Sequence, residues 1–258
     1  MDPLDVFLFG VFPYVALLMF VVGVLWRFSK WVRASGTTGL YSVNVFGYAW
    51  GFDKRLSETL KRIFTLYTLN TSDRLVLVGS FLFHWGIWIA LLGHLAMIVP
   101  PYQFGVSKEL HKAIALYVGG AAGIAALIGL VLLLVRRLIR ADVRKLSFLD
   151  DWFALVLLIA IVALGNYQAL VIRPDYMNTL SPWLQNILLG NVSAALTYVA
   201  ELDVVSKLHV FLGMVFIAYV PLGKMIHPFS YAAMPTIWKK PTELYGYRVW
   251  KSPLEELK

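Results

Sequence analysis

His84, His94, His209 and His227 are the residues of this 258-residue chain whose type and spacing are best suited to chemistry. Neutral imidazole binds metal ions and exchanges protons near neutral pH, so each of them is a candidate metal ligand or proton carrier. All four sit in strongly apolar stretches, where an ionisable side chain is costly and rare. The remaining histidine, His111, lies beside Lys112 at the start of another apolar stretch. The chain has no cysteine, which excludes a disulfide framework, thiolate iron–sulfur or zinc sites and a cysteine nucleophile. A redox cofactor on this chain must therefore be held by nitrogen ligands.

The elements that carry these histidines read as membrane spans. Hydrophobic residues make up 59% of the chain and charged residues 15%, against about 45–50% and about 25% in an ordinary soluble domain. A helix needs about 20 mostly apolar residues, at 1.5 Å each, to cross roughly 30 Å of hydrocarbon. Residues 5–27, 75–98, 112–135, 152–172 and 205–226 qualify. The expected fold is an all-α integral membrane bundle of five transmembrane helices, in one domain over residues 1–235 with a tail over 236–258. The first stretch opens Met1-Asp2-Pro3-Leu4-Asp5, without the basic start of a signal peptide, and it is too long for one, so it is read as a span of the mature protein.

Lys and Arg test the topology, because cytoplasmic connections are enriched in them. Of the 23 such residues, only Lys108, Lys112, Arg173 and Lys207 fall outside the connections at 27–74, 136–145 and 224–258. That alternation requires an odd number of spans, with the N-terminus outside and the C-terminus cytoplasmic, in a cell membrane. It also accounts for the net charge of +8 without nucleic acid. Two further segments are amphipathic. Residues 54–69, in an inner connection, suit an interfacial helix, a docking surface for a soluble partner, or a connector. Residues 182–199 carry apolar residues at helical spacing, interrupted by Gln185, Asn186, Asn191 and Ser193, and suit a helix lying at the outer surface. No internal repeat is visible.

Helix geometry sharpens the histidine pattern. The ten residues from His84 to His94 rise about 15 Å and stop about 80° short of three turns, so both side chains can face one interior. The 18 residues from His209 to His227 make five turns and about 27 Å, again on one face. The two spans run in opposite directions, so His94 and His209 share the outer depth and His84 and His227 the inner one. The unequal rises require tilt or a bend, for which Pro221 and His227-Pro228 provide sites. Each cross-helix pair could ligate one haem iron from both axial sides. Zinc, copper and non-haem iron also accept imidazole, but such sites commonly add carboxylates or thiolates, which these spans scarcely offer. Bis-histidine haem b is the best fit. Gly86, Gly93, Gly120 and Gly123 could admit a macrocycle or serve close helix contact. Arg136 and Arg137 could pair with haem propionates or anchor the topology.

The segments Phe83-His84-Trp85-Gly86 through Gly93-His94, Tyr117-Val118-Gly119-Gly120-Ala121-Ala122-Gly123 with Arg136-Arg137, and Ser206-Lys207-Leu208-His209 through His227 resemble the di-haem cytochrome b family of the respiratory nitrate reductase gamma subunit. Phe12-Pro13-Tyr14 and Trp26-Arg27 resemble the start of that family, and the likeness covers most of residues 5–235. Leu60-Lys61-Arg62-Ile63-Phe64 leading into Phe83-His84, after a longer 35–75 connection, is closer to the membrane cytochrome b of sulfite-reductase-associated and heterodisulfide-reductase-like complexes. The resemblance implies two b haems, the outer held by His94 and His209 and the inner by His84 and His227. It further implies quinol oxidation near the outer haem and electron transfer to a cytoplasmic iron–sulfur partner. It makes Lys112, with His111, the candidate quinol contact. The terminal-substrate site would then belong to the partner. Two other classes remain open at this stage: a proton-coupled transporter using the histidines as a relay, against which stand the lack of duplicated halves and of a broken-helix pair, and a haem-free membrane anchor.

Overall fold

The computed structural model describes residues 2–33, 37–38, 41–42, 52–69 and 73–230. Among the described residues four helices are long and apolar enough to cross a membrane: α1 (Pro3–Trp31), α3 (Arg74–Ile98), α4 (Lys108–Ile139) and α5 (Leu149–Ile172). The helix α2 (Phe52–Thr65) precedes α3, and a short antiparallel pairing of Thr37–Thr38 with Tyr41–Ser42 lies before it. After α5 come two short helices, α6 (Leu180–Leu188) and α7 (Val192–Val199), and then α8 (Val204–Tyr219) with α9 (Lys224–Ser230). The tail at 236–258 falls outside the described residues.

The bundle is a chain of neighbours in which α3 packs on α4, α4 on α5, α5 on α8 and α8 on α1. The α3–α4 seam is the tightest, and glycine makes it so. A Cβ on Gly129 would lie 2.5 Å from the carbonyl oxygen of Gly79 and the amide of Phe83. One on Gly86 would run into the Ala122 carbonyl and lie 2.7 Å from the Ala126 amide. Backbones can approach this closely only where side chains are missing, which in lipid replaces the hydrophobic driving force available in water. The register, 79 beside 129 and 86 beside 122 and 126, makes the two helices antiparallel. Small and branched side chains fill the interior around Ala126, Leu130, Leu155, Leu158 and Val162. Leu18, Val22, Leu91, Leu92 and Leu95 point outward, as lipid-facing residues do.

The fifth expected span differs from a continuous 205–226 helix. α8 stops at Tyr219, and the chain turns by 78° into α9. Pro221 causes the break, since its ring opposes the carbonyl four residues earlier and it has no amide to donate. The carbonyls freed there find a partner far away in sequence. Arg27 of α1 donates through Nε to the Pro221 oxygen at 2.9 Å and through Nη2 to the Leu222 oxygen at 3.0 Å. Gly23 lets α1 come close, for a Cβ there would sit 2.6 Å from the Pro221 ring.

The 182–199 segment is two helices rather than one. Gly190, with φ +79°, makes the turn between them, a conformation open to glycine at little cost. Their apolar faces close on the start of α1, where Phe9, Trp183, Ile187, Ala195, Leu196 and Val199 form a buried cluster. Trp183 Nε1 donates to the Phe9 carbonyl at 3.2 Å, and Tyr14 donates to the Ile187 carbonyl at 2.6 Å. Ser181 and Gln185 donate to the Met97 carbonyl at 2.5 and 3.1 Å, satisfying a carbonyl that the end of α3 leaves without a helical partner. The 54–69 expectation corresponds to α2 and a short 3-10 turn at Tyr67–Leu69.

Candidate functional site: two facing histidine pairs

The break in α8 and the run of α3 bring the four histidines together in twos. The ring centroids of His94 and His209 lie 6.1 Å apart, with planes 28° from parallel. Those of His84 and His227 lie 6.0 Å apart, with planes at 76°. Because the early histidine of α3 meets the late one of α8–α9, the two segments run antiparallel. Along α3 the pairs are separated by about 15 Å of helix rise. The five-turn spacing expected between His209 and His227 does not apply, since the chain bends between them; the bend supplies the shortening that the unequal rises demanded.

Ring separations near 6 Å have a chemical meaning. A metal–imidazole bond of about 2 Å and a nitrogen-to-centroid distance of about 1.2 Å place two rings opposed across one metal ion about 6.4 Å apart. The hydrogen bonds fix which nitrogen faces the gap. Nδ1 of His84 donates to the Ser80 carbonyl at 2.7 Å, Nδ1 of His94 to Ala90 at 2.7 Å, Nδ1 of His209 to Ile161 at 3.0 Å and Nδ1 of His227 to Lys224 at 3.2 Å. A carbonyl can only accept, so each Nδ1 carries the proton and each Nε2 keeps its lone pair. This is the outer-shell arrangement that orients a ligating histidine. Among the described residues no group of three or more His, Asp or Glu side chains clusters to hold a metal ion. Two nitrogens per site, opposed and otherwise unsupported, suit an ion whose other four positions come from a macrocycle, and the donor set therefore fits haem.

The glycines divide. Gly86 is packed against α4, Gly120 against Leu170 and Gly123 against Asn166, so a Cβ at any of them would meet protein. Gly93 and Gly213 have nothing within 4 Å of such a Cβ. Both flank the His94/His209 pair, and there the fold leaves open space beside the backbone. Around His84 lie Phe83 and Trp88, with centroids 5.0 and 5.8 Å away, and Trp88 in turn meets Phe64 of α2 at 5.6 Å.

Arg136 and Arg137 are engaged by carboxylates. Arg136 Nε donates to Asp73 at 2.7 Å, while Arg137 lies 3.8 Å from Asp151, which also pairs with Lys224 at 2.7 Å. Asp73 is in addition the cap of α3. The Val76 amide first, and the Arg136 guanidinium with it, hold its carboxyl below the ordinary carboxylate range. His111 and Lys112 are not brought together. His111 is buried between Tyr102 and Tyr176, with centroids 5.9 and 5.8 Å away, whereas Lys112 is exposed. Burial, and the charges of Tyr102 and Asp175, push the Tyr176 phenol up to about 12, so it remains a donor. Asn166 and Gln168 escaped sequence reasoning. Their signal was present, as two amides inside an apolar span.

Residues 42–242 match the nitrate reductase gamma subunit family. The chain is 30% identical to the respiratory nitrate reductase 1 gamma chain of Escherichia coli K12, over 94% of each chain. It is 29% identical to the nitrate reductase gamma chain of Bacillus subtilis, over 86% of this chain and 90% of the relative. It is 26% identical to the Hdr-like menaquinol oxidoreductase cytochrome b-like subunit of Archaeoglobus fulgidus, over 89% and 78%. With its apolar helices and paired histidines, the chain belongs to the nitrate reductase gamma subunit family of multi-pass membrane subunits of oxidoreductase complexes.

Proposed function

We propose that this chain is a di-haem cytochrome b that carries electrons between the quinone pool and a cytoplasmic iron–sulfur partner. The observation that carries the reading is the pair of imidazole couples with ring centroids about 6 Å apart, each Nδ1 tied to a carbonyl so that Nε2 keeps its lone pair. In it, His94 and His209 hold the outer haem and His84 and His227 the inner one. The Lys and Arg distribution supports an N-terminus outside and a C-terminus in the cytoplasm. Haem b at both depths supplies one-electron redox chemistry across the membrane.

The residues of the chain do the positioning. The carbonyls of Ser80, Ala90, Ile161 and Lys224 set ring tautomer and orientation, and raise the basicity of Nε2. The apolar bundle excludes water from the path between the pairs. Quinol binds at the His94/His209 end, near His111, where a proton acceptor is available. Electrons leave at the His84/His227 end, on the side where the sequence concentrates Lys and Arg. The direction of net flow follows from the partner's potential. The relatives named a nitrate reductase gamma chain and a menaquinol oxidoreductase subunit bracket the class of partner, which brings the terminal-substrate site.

Substitution by alanine tests the assignment one pair at a time. His209→Ala is expected to remove one b-type redox component and His227→Ala the other, in spectra recorded at stepped potentials. Loss of neither component from either variant contradicts the ligand set.

A further inference from the structure

Three of the four paired histidines are oriented by their own helix. His84 donates to Ser80 and His94 to Ala90, each four residues back, and His227 to Lys224, three residues back. His209 is the exception. Its Nδ1 crosses to α5 and donates to the Ile161 carbonyl at 3.0 Å, 48 residues away in the chain. That carbonyl lies inside a regular helix, where it already accepts from the amide four residues on, that of Gly165. A carbonyl oxygen has two lone pairs, so it takes a second donor that can reach it.

Gly165 supplies the reach. Side chains of a helix tilt toward its N-terminus, so the residue at i+4 stands over the carbonyl at i. Gly165 is the one glycine of α5, and it occupies the position that would cover Ile161. A Cβ there would lie 2.9 Å from Cε1 of His209, 3.5 Å from Nδ1 and 3.7 Å from Nε2, so it would meet the imidazole ring itself. The gap beside Gly165 is thus filled by the ring, unlike those beside Gly93 and Gly213, where no protein atom comes within 4 Å. The carbonyl and the missing side chain, one turn apart, make a seat for the His209 ring on a helix that carries no histidine.

We propose that Gly165 is a positioning residue for the outer haem: by leaving the Ile161 carbonyl uncovered it lets α5, rather than α8, set the plane of the His209 ring and, with it, the reduction potential of that haem. The inference rests on the di-haem reading and goes beyond it by naming what fixes this ligand. A hydrogen bond donated by Nδ1 makes Nε2 more basic, and a more basic ligand favours ferric over ferrous iron. Loss of the seat therefore raises the potential of the outer haem, the one placed to take electrons from quinol. The inner haem, whose ligands bond within their own helices, keeps its potential.

Redox titration of the purified haem-loaded protein, followed by optical and EPR spectra, tests this. Gly165→Ala is expected to shift the g values of the outer b-type signal and to raise its ferrous/ferric ratio at fixed potential about tenfold, which is about 59 mV for one electron. The inner signal is expected to stay unaltered and serves as the gauge of folding. An outer signal and potential equal to those of the unsubstituted protein overturn the proposal. A second variant separates the ring from general packing. In His209→Gly with imidazole in the buffer, an untethered ligand replaces the ring and can move aside, so adding Gly165→Ala is expected to change nothing; a difference as large as in the parent background means that Gly165 acts through helix packing, and overturns the proposal. If Gly165→Ala alone retains neither haem, return of the inner haem in the chain carrying both substitutions supports the seat, and its absence overturns it. Absence of b-type signals from the unsubstituted protein is a different result, which overturns the di-haem reading itself.

Discussion

Arg27 offers the sharpest test of how the fold makes the inner histidine pair. His227 stands beyond the break in α8, and the carbonyls of that break are held by the Arg27 fork at 2.9 and 3.0 Å. Hydrogen bonds from a charged donor contribute about 1.5–3 kcal/mol each in water-soluble proteins. Interhelical bonds within membrane proteins average about 0.6 kcal/mol. One of the two bonds is part-buried and the other exposed, so the pair together is worth about 1–3 kcal/mol, which corresponds to about a 5–150-fold change in an equilibrium constant. Arg27→Ala is therefore expected to weaken retention of the inner haem by that factor and to leave the outer one in place. Arg27→Lys keeps the charge but not the fork, and is expected to fall between the two. Haem release to apomyoglobin, followed separately for the two b components in a redox titration, gives the numbers. Equal loss of both haems, or release rates for the alanine variant matching the unsubstituted protein, would refute the idea that the broken helix is held in place from α1.

Other consequences are more local. Gly86→Leu drives a side chain into the Ala122 carbonyl and the Ala126 amide, so the overpacked α3–α4 seam is expected to lose about 1–3 kcal/mol, seen as a lowered Tm, whereas Gly93→Ala meets no protein atom and is expected to escape that loss. The planes of His94 and His209 are 28° apart and those of His84 and His227 76° apart. Near-parallel imidazoles lift the degeneracy of the iron π orbitals and near-perpendicular ones preserve it, so the inner haem is expected to give the more anisotropic low-spin EPR signal; two signals of equal anisotropy contradict this. Asp73 has a lowered carboxyl pKa, so its contribution to stability is present above the unfolded value of about 3.9 and is lost as pH falls through the lower folded value. Asp73→Asn is expected to flatten that acid limb, measured as the dependence of Tm on pH between about 5 and 2.

Much of the site was legible because lipid makes polar residues conspicuous. An imidazole in an apolar span is costly, so positions 84, 94, 209 and 227 stood out, and their rises along two antiparallel helices were enough to pair them. The first four spans were legible to within a few residues, since hydropathy reads length directly, whereas the fifth was expected unbroken and is not. What was not legible depends on partners distant in the chain. Pro221 announced a bend, but its size and its support by Arg27, 194 residues earlier, are tertiary facts. The 182–199 segment has the pattern of an amphipathic helix, but its turn at Gly190 and its packing of Trp183 on Phe9 are tertiary facts. Likewise, Gly86 and Gly93 are chemically identical on one helix, yet α4 fills the space beside the first and nothing fills that beside the second. Asn166 was visible as an amide in an apolar span, but its approach to Gly123 requires the register of α4 against α5, which one sequence does not reveal.

The central claim is that the two histidine pairs hold two haems, and the most direct measurement is the haem content of the purified, membrane-extracted protein by pyridine haemochrome assay against protein mass, with a reduced-minus-oxidised spectrum. Two b-type haems per chain are expected, resolved as two components in a potentiometric titration. One haem, or none, would contradict the claim.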